Sequence, residues 1–229
     1  FDDLHSNSSG TTLCNLGDPR RVATLYRVTS AESREFGLNS GHAIGVDVGG
    51  TKIAAGVIGS DGSVVRSVRA ATPAGDGFAT QERIVELVRE LTDESLPVGV
   101  AVAGFINADQ SVVSYAPNID WREVPLRANL EQRLGAAVTV ENDANAAGWA
   151  EFRFGAGRGI RHMTLLTIGT GVGGAIVMDG TLVRGGFGAA GELGHLRIVP
   201  DGIECGCGQR GCLEQYGSGR ALLRQLNEL

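Results

Sequence analysis

Two glycine-rich turns, Gly49-Gly50-Thr51 and Gly169-Thr170-Gly171, each join one apolar strand pattern to another, not a strand to a helix. This constrains the fold more than any other feature. Ala43 to Val48 enters the first turn, Ile53 to Ile58 leaves it, and Ser60-Asp61-Gly62 leads into a third strand from Val64 to Val68. Met163 to Ile168 enters the second turn and Val172 to Met178 leaves it, with Asp179-Gly180 turning the chain into Thr181 to Val183. A Rossmann turn would open a helix, and a Walker A loop needs a longer spacing before Gly-Lys, so neither nucleotide motif fits. Between the two hairpins, Ile84, Leu87, Val88 and Leu91 recur at helical spacing ahead of a buried strand at Val98 to Val102. Leu126, Leu130 and Leu134 predict a second helix, Ala137 to Val140 a strand, Asp143 to Phe154 a third helix, and a last helix starts near Ser218. The pattern predicts an α/β protein whose two related lobes face one cleft.

Glycine's 35 occurrences gather in such loops, where backbone amides can approach a ligand closely. Gly49 and Gly50 can present amides to a phosphate, with Thr51 and Lys52 adding side-chain donors, and Gly169, Thr170, Gly171 and Gly173 can do the same from the other lobe. Asp47, at a strand end, is placed to hold Mg²⁺. Each turn taken alone also reads as a plain hairpin. Together they predict a clamp on the phosphate tail of a nucleotide such as ATP. Glu141-Asn142-Asp143-Ala144-Asn145 sits where a strand hands over to a helix. Asp143 there reads equally as a helix N-cap or as a general base on a substrate hydroxyl, with Asn142 positioning that hydroxyl.

The chain has four cysteines, and Cys205, Cys207 and Cys212 are packed into one short stretch downstream of His195. A disulfide scaffold would spread its cysteines; a tight cluster favours metal. One imidazole and three thiolates make a closed tetrahedral Zn²⁺ site, hence a structural one. Cys14 is expected to stand apart from it.

A net charge of −6 with interspersed signs leaves no broad basic surface for nucleic acid. No apolar run is long enough to span a bilayer, and no basic residue precedes a hydrophobic core at the start, so a cytoplasmic location is expected. Residues 1–41 are expected to be a disordered or non-native flank, 42–118 a small N-terminal lobe carrying the first phosphate loop, and 119–229 a large lobe carrying the zinc loop.

The runs DVGGTK at 47–52, ENDANAA at 141–147, GTGVGGA at 169–175, GELGH at 191–195 and CGCGQRGCLE at 205–214 resemble the ROK family of sugar kinases and related repressors. The resemblance implies an actin-like, ribonuclease H-like two-lobed fold and ATP-dependent phosphorylation of a hexose, first of all glucose to glucose 6-phosphate. It assigns Asp143 as the base, and Asn118, Asn142, Glu192, His195 and Glu214 to sugar hydroxyls with Gly104 lining the pocket. His195 then serves both zinc and sugar. Asn118-Ile119-Asp120-Trp121 is similar to a family stretch near the sugar. The alternatives are a kinase for N-acetylmannosamine, N-acetylglucosamine or fructose, and a sugar-responsive repressor, which residues 1–41 disfavour because they show no two-helix DNA-binding pattern. Members of the family continue beyond the point matching Leu229, so the second lobe is expected to be incomplete and the isolated chain inactive. A dimer or tetramer is expected of the full-length protein.

Overall fold

The computed structural model describes residues 41–116 and 118–228. The expected flank, with Cys14, lies outside these residues except for Gly41. The first three strands, β1 (His42–Val48), β2 (Lys52–Gly59) and β3 (Val64–Ala71), form an antiparallel meander. After α1 (Gly77–Leu91) the chain returns as β4 (Val98–Val102), parallel to β1. A further strand, β8 (Val138–Asn142), lies parallel to β4 and completes a five-stranded sheet in the order β3-β2-β1-β4-β8. Parallel strands need cover on both faces, and every residue of β4 is buried. Asp76 caps α1, its carboxylate accepting the Ala79 N–H at 2.8 Å, and Ile84, Val85, Leu87, Val88 and Leu91 turn inward.

Between β4 and β8 the chain builds a second small sheet from β5 (Phe105–Ile106), β6 (Val113–Ala116) and β7 (Trp121–Val124), followed by α2 (Leu126–Leu134). These strands are too short for an alternating pattern to register, so the sequence does not announce them. Trp121 anchors the insertion: its ring is buried and its indole N–H donates to the Gly77 carbonyl at 2.9 Å. Trp121, Leu126, Leu130, Val138 and Val140 share one apolar core with the first sheet. From this packing we propose a lobe boundary near Asn142, past the expected residue 118.

Helix α3 (Asp143–Phe154) then leads to a three-stranded sheet of β9 (Met163–Ile168), β10 (Val172–Met178) and β11 (Thr181–Leu182), in the order β11-β10-β9. Ala175, Val177 and Leu182 form its small core, with Trp149 and Phe152 of α3 packed against it. A 3₁₀ turn at Leu193–His195, the cysteine loop, α4 (Glu214–Gly217) and α5 (Gly219–Asn227) follow. Ser218 caps α5 by accepting the Ala221 N–H at 3.1 Å. The α/β expectation holds, and both Gly/Thr turns sit between antiparallel strands.

Candidate active site

The β8–α3 junction delivers two polar side chains into a cleft, and the backbone decides which does what. Asn142, not Asp143, is the N-cap: its Oδ1 accepts the Asn145 N–H at 3.0 Å. Its Nδ2 donates to the Gly104 carbonyl at 3.1 Å, pinning the junction to the end of β4. Asp143 is released from capping and stands at the first helical position. Its Oδ1 accepts the Ala144 N–H at 2.9 Å. Burial raises the Asp143 pKa, and the negative charge of Asp47 raises it further, against the lowering by that backbone hydrogen bond. Burial also raises the Asp47 pKa, with Lys52 pulling it back. Two nearby carboxyls with pKa values raised by desolvation make a site that favours a cation or a proton.

A cavity of about 590 Å³ opens in front of Asp143. Gly104, Asn118, Asn142, Glu192, His195 and Glu214 line it, as do Gly169, Thr170, Gly171 and Gly173 of the second turn. The first turn, from Asp47 through Gly49, Gly50 and Thr51 to Lys52, is not part of that wall. It adjoins the wall through the charge of Asp47 and through Gly50, where a Cβ would stand 2.9 Å from the Cβ of Asn118. The phosphate-loop candidate therefore touches a sugar-site candidate directly. The second turn is tied in the same way: Glu214 Oε2 accepts the Val172 N–H at 2.9 Å, and a Cβ on Gly171 would run into that oxygen.

Glu192 and His195 come from the 3₁₀ turn. Burial raises the Glu192 pKa, with His195 lowering it and the carboxylates Asp143 and Glu214 raising it further. His195 Nε2 lies 3.9 Å from Glu192 Oε2, on the cleft side. Its Nδ1 faces the other way, 3.5 Å from Cys205 Sγ, while Cys207 and Cys212 sulfurs stand 3.7 Å apart. The ligand atoms of His195, Cys205, Cys207 and Cys212 all lie within 4.8 Å of one another. A tetrahedral zinc with bonds of about 2.0–2.3 Å spaces its ligands by roughly 3.5 Å, so the donor set fits the metal in number, chemistry and spread.

Several residues in or behind the site carry no signal that sequence reading could use. Arg220, at the start of α5, and Thr167, on β9, line the cavity. Glu141 stands inside the ENDANAA run, yet nothing local marks it as different from a strand-end carboxylate. In the fold it is buried and pairs with Arg184, 2.6 Å away.

The model of the ROK family matches residues 43–228. The chain belongs to the ROK family. It is 49% identical over 190 residues to a glucokinase of Streptomyces coelicolor, a match covering 80% of this chain and 58% of that protein. It is 47% identical to a ROK family glucokinase from Streptomyces griseus, solved with glucose and AMPPNP, with a TM-score of 0.72 over 82% of this chain and 61% of the other. A xylose repressor of Bacillus subtilis is 30% identical over 198 residues, covering 83% of this chain and 51% of the repressor. The ROK chain described here thus spans about three-fifths of the length of these glucokinases. Its fold is the actin-like sugar-kinase fold. Among the described residues, no helix is long and apolar enough to cross a membrane.

Proposed function

We propose that the whole protein is a glucokinase, transferring the γ-phosphoryl group of ATP to the 6-hydroxyl of glucose. The observation that carries this reading is Asp143: a carboxyl free of the capping role, opening onto a cleft rich in hydrogen-bonding side chains, with its pKa raised by desolvation there. The similarity to glucokinases at nearly half identity supports glucose over other hexoses.

In this mechanism Asn118, Asn142, Glu192, His195 and Glu214 hold the sugar hydroxyls, with Gly104 leaving room for the ring. Asp143 takes the hydroxyl proton on its carboxylate as the oxygen attacks the phosphorus in line. Gly49, Gly50, Thr51 and Lys52 on one side, and Gly169, Thr170, Gly171 and Gly173 on the other, hold the phosphates. Asp47 is the group placed to bind Mg²⁺, which when bound with ATP neutralises phosphate charge. Zn²⁺ on His195, Cys205, Cys207 and Cys212 would be structural, since the donor set leaves no open position. A metal-bound imidazole is fixed in tautomer and orientation, so Nε2 faces the sugar as a rigid group. Closing of the lobes excludes water, the competing acceptor.

The same reading takes the protein to be cytoplasmic and a dimer or tetramer, acting on small molecules and on neither nucleic acid nor membrane. The test is ADP formation by the whole protein with a sugar panel of glucose, mannose, fructose, N-acetylglucosamine and N-acetylmannosamine. The expected result is the highest kcat/KM for glucose. No sugar-dependent ADP formation would overturn the kinase reading, and a higher kcat/KM for another member of the panel would overturn the choice of glucose.

A further inference from the structure

Glu141 is the penultimate residue of β8 and 3% exposed, and both of its oxygens are engaged by N–H donors from different parts of the chain. Oε1 accepts the backbone N–H of Asn142 at 3.0 Å and Nδ2 of Asn145 at 3.3 Å. Oε2 accepts Nε of Arg184 at 2.6 Å and Nε2 of Gln110 at 3.0 Å. The first two donors flank Asp143 on either side. Arg184 instead follows β11 and opens the loop that ends in Glu192 and His195. That loop is closed on Arg184 itself, whose carbonyl accepts the Ala190 N–H at 3.0 Å. Glu192 N–H then donates to the Ala189 carbonyl at 3.4 Å.

We propose that Glu141 and Arg184 are a positioning pair that sets the separation between Asp143 and the Glu192–His195 turn. One carboxylate grips the segment carrying the base and, through one guanidinium, the loop carrying two of the sugar-facing groups. Charge-assisted hydrogen bonds of this kind are short and directional, and the Nε donor of Arg184 is held within a rigid planar group that Lys lacks. The inference rests on the kinase reading above, because it is the placement of base against sugar that the pair controls. An error of about 1 Å in such placement can cost on the order of a hundredfold in rate. Glu141 is not among the residues lining the cavity, so its role is to place other groups.

The decisive variant is Arg184→Lys in the whole protein, which keeps the charge and the packing stem while losing the Nε donor. A second, Glu141→Gln with Arg184→Met, removes both charges together and avoids leaving one buried alone. Two readouts are taken on each. Amide hydrogen exchange over residues 185–195 and 142–145 reports placement without requiring any reaction, and kcat and sugar KM report its consequence. Faster exchange in both segments is expected, with kcat lowered about tenfold or more, sugar KM raised, and the melting midpoint of Arg184→Lys little changed. Exchange unchanged in either segment, or kcat and KM within about twofold of the parent, would overturn the pairing. Failure of the parent protein to consume ATP with any sugar would sink the kinase reading alone, since exchange still decides whether the pair holds the two segments.

Discussion

His195 presents its two ring nitrogens to different neighbours, Nδ1 to Cys205 Sγ at 3.5 Å and Nε2 to Glu192 Oε2 at 3.9 Å. A cluster of thiols and a cleft of hydroxyl-binding groups therefore share one imidazole. Under the proposed chemistry, metal content and sugar affinity are linked through it.

The whole protein is expected to carry one zinc per chain. Chelation should weaken glucose binding by about ten- to a hundredfold, the usual scale for disturbing the groups that orient a functional side chain. The melting temperature should fall at the same time, because metal binding and local folding share free energy. Metal analysis with calorimetric glucose titration checks both. Protein purified without chelator that holds no zinc, or a Cys207→Ser variant with a full zinc complement, would speak against the site.

Asp143→Asn should abolish turnover while sparing glucose binding. Asn preserves shape, and its side-chain oxygen can still accept the Ala144 N–H now received by Asp143. Only proton acceptance is lost, so kcat should drop by ~10²-fold or more. Steady-state kinetics with direct glucose titration decides. A variant retaining more than about a tenth of the parent kcat would remove Asp143 from the base role.

The sequence made the long strands and the helices legible because each carries its own periodicity and each Gly/Thr turn carries its own chemistry. Asp143 could not be separated from a capping residue on local sequence, since both roles use the same residue at the same junction. Only the Asn142 Oδ1 bond to Asn145 N–H assigns the cap to the neighbour. The short sheet of β5, β6 and β7 stayed hidden because strands of two to four residues carry no period. Arg184 stayed hidden for another reason. Its partner Glu141 is 43 positions away in sequence, and nothing local records a contact made across the fold.

Gly171→Ala should raise KM for both sugar and ATP. The added methyl would collide with Glu214 Oε2, which the Val172 N–H now holds at 2.9 Å. Backbone or carboxylate must move, and the two belong to the proposed phosphate and sugar sites respectively. A loss on the order of tenfold to a hundredfold in kcat/KM is expected. Gly186→Ala, which meets nothing within 4 Å, is the matched control for adding a methyl to a loop glycine. Kinetics in which Gly171→Ala matches the parent for both substrates would show that the Glu214 contact is incidental.

The last prediction concerns pH, where stability and activity should run in opposite directions. Burial is the leading cause of the raised pKa at Asp47, Asp143 and Glu192. A carboxyl whose folded pKa exceeds its unfolded value binds more protons when folded, so stability falls as pH rises through the interval between the two. For Asp143 that interval starts at the ordinary value of 3.8 and ends at its raised folded value. As the proposed base, by contrast, Asp143 works only when deprotonated, so activity should appear at the upper end of the same interval. Asp143→Asn removes a charge that the cleft disfavours and should melt higher than the parent at neutral pH. The advantage should shrink as pH falls towards the ordinary carboxylate value, where the parent Asp143 is protonated too. Melting curves of both proteins across that range check the sign. A parent more stable than the variant at neutral pH, or a difference that does not change with pH, would mean that Asp143 is not held at a cost to the fold.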